Sequence, residues 1–160
     1  MKTPWMEMTV RDFQSALASS SPTPGGGTAA AIALGQASAL TIMVCDLTIG
    51  KEKWSDGWEI SEEAMELSVK IMTRSGELAD EDSDAFDEVM SSYRLPKDTD
   101  EQKTARRNAI KDATITATEK PFKTAQLALE LLRILPKLAA TGNGNAVSDV
   151  GVAGLLASAA

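Results

Sequence analysis

The stretch Ile71–Lys97, IMTRSGELADEDSDAFDEVMSSYRLPK, decides the fold. Ile71, Ser75, Leu78, Asp82, Ala85/Phe86, Val89 and Tyr93 recur at the three-to-four spacing of one helix face. On that face Asp82 stands where an apolar residue is expected. A carboxylate in such a place must find partners or take up a proton. Asp80, Asp84 and Asp87 form a neighbouring row that can stay in solvent, although like charges at these spacings oppose the helix. Glu77, Asp80, Glu81, Asp82, Asp84, Asp87 and Glu88 are uninterrupted by any basic residue, and the net charge of the whole chain, −7, equals that of this one segment.

Metal binding is the first rival reading of so many carboxylates. Asp80-x-Asp82-x-Asp84 has the opening spacing of a calcium loop, but Ala85 replaces the glycine and Ser91 the closing glutamate that such a loop needs. No metal site is expected. The chain has no histidine, which excludes His-based triads and the usual zinc sites. Acid–base chemistry then falls to carboxylates, Lys, Tyr, Cys45 or water. Cys45 has no base near it in sequence and reads as a small buried apolar residue.

Working outward, 160 residues with 4 % aromatics and an apolar set rich in Ala, Leu and Met predict one all-α domain over residues 1–160, a bundle of five to six helices. The acidic balance argues against nucleic acid or an anionic membrane as partner. A single cysteine and no leader-like N-terminus fit a cytoplasmic protein. Gly25–Cys45 is long and uncharged enough to span a bilayer. Its Ala, Ser, Thr, Gly and Gln36 instead suit close packing inside a soluble bundle.

Thr9-Val-Arg-Asp12 reads as a capping box for a first helix with Val10, Phe13 and Leu17 inward. Pro22-Thr-Pro-Gly-Gly-Gly-Thr28 is a turn leading into a long second helix. Its glycines would let a ligand, or simply another stretch of backbone, approach a helix N-terminus. Asp56 or Ser61 should start a third helix ending near Tyr93, with a break expected at Ser75-Gly76. Thr99-Asp-Glu-Gln102 is a capping box for a fourth, with Ala105, Ala109, Ala113 and Ala117 on one face. Pro121 should kink it or open the next helix, and Pro136 should bend or end that one. Asn145 or Ser148 should cap the last helix, whose first turn holds Asp149, a position a carboxylate favours for dipole reasons alone.

Three motifs in order resemble the formiminotransferase-cyclodeaminase family. They are Ser19–Gly27 with Leu47-Thr-Ile-Gly-Lys51; Asp80-x-Asp82-x-x-Ala85-Phe86-x-x-Val89 with Tyr93–Lys97; and Gly142-Asn143-x-Asn145-x-x-Ser148-Asp149-Val150. The resemblance implies an all-α homodimer acting on tetrahydrofolate derivatives without a bound cofactor. Such enzymes close 5-formiminotetrahydrofolate to the 5,10-methenyl form with loss of ammonia, or hydrolyse the methenyl ring. It makes Asp82 the expected proton shuttle, with Asp149 or Asp80 steadying it or the pterin. Pro24, Gly25, Gly26, Gly27, Asn143 and Asn145 would bind substrate, and Lys97, Lys51 and Lys53 would meet the glutamate tail. Asp46 stands where the family has Asn, and relatives continue past the position of Ala160. The competing readings are a non-catalytic folate-binding dimer and a ligand-free bundle in which Asp82 pairs with Arg106.

Overall fold

The computed structural model describes residues 3–160, and among them every regular element is helical. The five helices are α1 Val10–Leu17, α2 Gly26–Thr48, α3 Trp58–Tyr93, α4 Asp100–Thr141 and α5 Val147–Ala159, with short 3₁₀ turns at Trp5–Glu7, Glu52–Gly57 and Gly144–Ala146.

α2, α3 and α4 run antiparallel in turn. Thr28 at the start of α2 meets Asp82 on α3, while Trp58 at the start of α3 donates its indole N–H to the Thr48 carbonyl. Tyr93 at the end of α3 meets Arg106, and Glu81 meets Lys120. α5 packs across α2 and α4, and Leu34, Val44, Ile71, Leu131, Leu135, Leu138 and Val150 share the core between them.

Small residues set the spacing of α2 against α3. Ser61, Ser68 and Ser75 repeat every seven residues on α3 and are fully buried. Opposite them, a Cβ on Gly35 would come within 2.6 Å of the Ser75 hydroxyl. Asp82 is the next member of that heptad, so the seam of small residues ends on a carboxylate. α3 passes Ser75-Gly76 without a break, and a Cβ on Gly76 would come within 3.2 Å of the Met6 side chain.

Several local expectations are corrected. α4 continues through both Pro121 and Pro136 to Thr141, so Pro121 does not open a new helix and Pro136 does not end one. Both prolines face solvent, where the carbonyls they leave unbonded can be hydrated and gentle curvature is tolerated. Asp56 lies in the turn before α3, which starts at Trp58, rather than at Ser61, with Gly57 as its N-cap. Thr9 accepts from the Asp12 N–H, but Asp12 turns back to the Thr9 hydroxyl, so no reciprocal box forms. Val10 is 75 % exposed and Leu17 partly so, leaving Phe13 and Ala16 as the packing residues of α1. The Thr99–Gln102 box forms with both bonds.

α2 is long and apolar enough to cross a membrane, with a mean hydropathy of 1.7 over its best window. Ten of its residues are buried inside the bundle. Cys45 is among them, and desolvation, reinforced by the adjacent Asp46, pushes its thiol up to about 11.

Candidate active site

The site forms where α2 begins. Pro24 is buried and turns the chain, Gly25 is the N-cap, and no side chain of the loop caps the helix. The first N–H groups of a helix lack intrahelical partners and favour negative charge nearby. α3 supplies that charge from across the seam. The Asp82 carboxylate lies directly over Gly27, where a Cβ would fall within 2.6 Å of its carboxyl carbon. Only glycine admits it. Thr28, one residue on, donates its hydroxyl to Asp82 Oδ2 at 3.0 Å.

Asp82 is half-buried. The full burial expected from its helix face is therefore not reached. Its proposed ion pair with Arg106 is absent, since Arg106 instead donates to the Tyr93 carbonyl at 3.1 and 3.3 Å and stacks 5.5 Å from the Tyr93 ring.

The acidic row beside it is less idle than its spacing implied. Asp80 Oδ1 accepts the Trp5 backbone N–H at 2.9 Å, and Asp87 accepts the Thr23 hydroxyl at 3.1 Å. Asp84 is exposed. Glu81 faces the other way, towards Arg74 and Lys120 at 2.6–3.0 Å. The Arg74 hydrogen bond above all holds its carboxyl down at about 2. Among the described residues no group of three or more Asp, Glu, Cys or His is arranged to hold a metal.

Expected site residues thus divide among three places. Pro24, Gly25, Gly26, Gly27 and Asp82 come together, with Asp80 just behind. Asn143, Asn145 and Asp149 lie at the far end of α2, about 30 Å away at 1.5 Å per residue. There the Asn143 amide donates to the Leu47 carbonyl at 2.9 Å, and its backbone N–H donates to the Thr48 hydroxyl at 3.0 Å. Asn143 Oδ1 accepts the Asn145 N–H, which makes Asn143 the cap of the 3₁₀ turn. α5 begins after Ala146 with no side-chain cap, so neither Asn145 nor Ser148 plays the expected role. Asp149 is half-buried in its first turn. Lys97 lies elsewhere again, on a groove of about 370 Å³ with Lys103, Arg106, Arg107 and Ile110 at the tip of the α3–α4 hairpin.

Sequence reasoning did not single out Thr28, Ser83 or Trp5, which surround Asp82 from behind. The seven-residue recurrence Ser61-Ser68-Ser75-Asp82 was the available signal that Asp82 sits at a helix–helix contact.

The comparisons with known proteins follow this geometry. The model of the family described as formiminotransferase-cyclodeaminase matches residues 9–160. The methenyltetrahydrofolate cyclohydrolase of Methylorubrum extorquens is 45 % identical over 150 residues, covering 93 % of this chain and 72 % of the relative. The formimidoyltransferase-cyclodeaminase of Rattus norvegicus is 28 % identical over 148 residues, which are only 27 % of its length. The crystal structure of formiminotetrahydrofolate cyclodeaminase from Thermotoga maritima superposes with a TM-score of 0.83 at 27 % identity, over 96 % of this chain and 73 % of that one. Family model, sequence relatives and fold all extend over the helices that place Asp82 on Gly27, and the chain belongs to the formiminotransferase-cyclodeaminase family.

Proposed function

We propose that this chain is a folate one-carbon enzyme that hydrolyses 5,10-methenyltetrahydrofolate to the 10-formyl form, with Asp82 as its proton shuttle. The observation that carries the mechanism is the Asp82 carboxylate seated on Gly27 and held through one oxygen by Thr28. The 45 % identity to a cyclohydrolase favours hydrolysis. Formiminotetrahydrofolate cyclodeamination is the second reading, supported by the likeness to the Thermotoga enzyme.

In the first reaction water adds to the carbon bridging N5 and N10, Asp82 removes a proton from it, the C–N5 bond breaks, and N5 receives a proton. In the second, N10 attacks the formimino carbon and its proton passes to the departing ammonia. Both need one group that takes a proton at one position around a carbon and returns it at another, and a histidine-free chain assigns this to a carboxylate. The substrate is the folate itself, with no bound cofactor in either scheme. The Gly25–Gly27 backbone and Lys97 are its further contacts, the latter through the glutamate tail.

The 30 Å between the two ends of α2 supports a homodimer in which Asp149 of one copy serves Asp82 of the other. Met43, Leu47, Val147, Val152 and Leu155 leave apolar surface on α2 and α5 for such a contact. A reducing cytoplasm fits the lone, buried Cys45.

Loss of methenyl-folate absorbance measures the reaction. Asp82→Asn should reduce turnover by about a thousandfold or more, since the shuttle is removed and not merely weakened. Near-normal turnover would exclude Asp82. Asp149→Asn should also be slow, and mixing the two variants should restore up to about a quarter of wild-type activity, because half the dimers would be hybrid with one intact site each. Failure of the mixture to recover activity would exclude the shared site.

A further inference from the structure

Behind Asp82, three buried side chains connect it to the N-terminal segment. The Trp5 indole N–H donates to the Ser83 hydroxyl at 2.9 Å, Ser83 and Thr28 hydroxyls are 2.9 Å apart, and Thr28 bonds Asp82 Oδ2 at 3.0 Å. Thr28 and Ser83 are fully buried, and Trp5 is 6 % exposed.

The hydrogens in this chain have one consistent arrangement. An ionised carboxylate only accepts, so the single Thr28 hydroxyl proton goes to Asp82. The bond between the two hydroxyls must then be donated by Ser83. Ser83 has used its proton, and it accepts from the indole, which can only donate. Every proton points towards Asp82, the arrangement in which successive bonds polarise one another.

Other hydroxyls on the same helices behave differently. Thr41 and Thr48 on α2 turn back to the carbonyls of Ala37 and Val44, and Ser75 on α3 to that of Met72. This is the ordinary local bond of a helical Ser or Thr. Thr28 and Ser83 are directed between helices instead. The far end is fixed independently. The Trp5 backbone N–H is held by Asp80 and its ring stands edge-on to Phe13, with centroids 6.1 Å apart.

We infer that Trp5, Ser83 and Thr28 are positioning residues that orient the Asp82 carboxylate through a one-way chain of hydrogen-bond donors. All three are buried, so they act through Asp82 and not on substrate. The inference rests on Asp82 being the proton shuttle. It also gives the segment before α1 a role in catalysis although it lies 78 residues from Ser83 in sequence.

Steady-state kinetics with methenyl-folate on the full chain test it. Thr28→Val keeps the shape and removes the donor; kcat should fall about tenfold or more with KM within about twofold, and Thr28→Ser should recover most of it. Trp5→Phe keeps an aromatic ring and removes the N–H, and should lower kcat by roughly three- to tenfold. In the double variant Trp5→Phe/Thr28→Val the chain is already cut at Thr28, so kcat should match Thr28→Val alone. Effects that multiply, an unchanged kcat in Thr28→Val beside an inactive Asp82→Asn, or no recovery in Thr28→Ser would overturn the chain while leaving Asp82 as shuttle. Near-normal turnover by Asp82→Asn would overturn both.

Discussion

The two ends of α2 are each secured by side chains from distant parts of the sequence, but they are secured for different ends. At the C-terminal end the amide, hydroxyl and backbone groups of Asn143, Asn145 and Thr48 bond one another and the Val44 and Leu47 carbonyls, so the knot uses up its own polar groups. At the N-terminal end a charged group is brought across the seam, gripped through one oxygen and set over a glycine. The first arrangement spends its hydrogen bonds on the fold. The second keeps a carboxylate oxygen available, and polar groups held but not exhausted are what acid–base chemistry requires.

Gly27 is the place to test that contrast hardest. Alanine is the better helix former, so Gly27→Ala should leave the thermal midpoint unchanged or slightly higher. Its methyl would take the space of the Asp82 carboxyl, a side-chain end that can swing away at little cost. Turnover should therefore fall about a hundredfold while stability does not, because small displacements of a reacting group are that costly. Wild-type turnover in this variant would mean that the seat over Gly27 has nothing to do with activity.

The other end should respond in stability. Asn143→Ala removes the side-chain bonds to Leu47 and Asn145, leaving a carbonyl and an N–H to be satisfied otherwise. A loss of roughly 1–2 kcal/mol in urea unfolding is expected. An unchanged midpoint would show that the knot is not holding the turn, and would reopen a ligand-facing role for Asn143.

The sequence displayed the helices and the anomaly of Asp82 but not the division between the two ends. Periodicity marks which face of α3 is inward, and Ile71, Ser75, Leu78 and Ala85 are buried as it required. It carries no information on what α3 meets, so Asp80 and Asp87 looked solvated although Trp5 and Thr23 reach them from elsewhere in the chain. Asn143 looked like part of one site with Asp82 because motifs adjacent in a family pattern need not be adjacent in one protomer. Pro121 and Pro136 do not divide α4, for a local reason. Their cost in a helix depends on whether the freed carbonyls reach water, and that depends on tertiary placement.

The smallest effect refines the comparison within the N-terminal end itself. Glu81 and Asp82 are neighbours in sequence, yet one is tied into ion pairs of the fold and the other is the proposed proton shuttle. Glu81 bridges Arg74 and Lys120, tying α3 to α4, and its carboxyl is held at about 2 against an ordinary value near 4.5, chiefly by the Arg74 hydrogen bond. A depressed carboxylate stabilises the fold above its unfolded value and loses that contribution as pH falls through its folded one. Because the pair is about a third exposed, screening reduces the contribution to ~1 kcal/mol. Glu81→Gln should therefore lower the urea midpoint modestly at pH 7, with the difference from wild type closing between pH 4.5 and about 2. Turnover at neutral pH should be nearly unaffected, since Glu81 points away from Gly27. A variant as slow as Asp82→Asn would mean that the two carboxylates act together, and that the separation of fold from site fails even between adjacent residues.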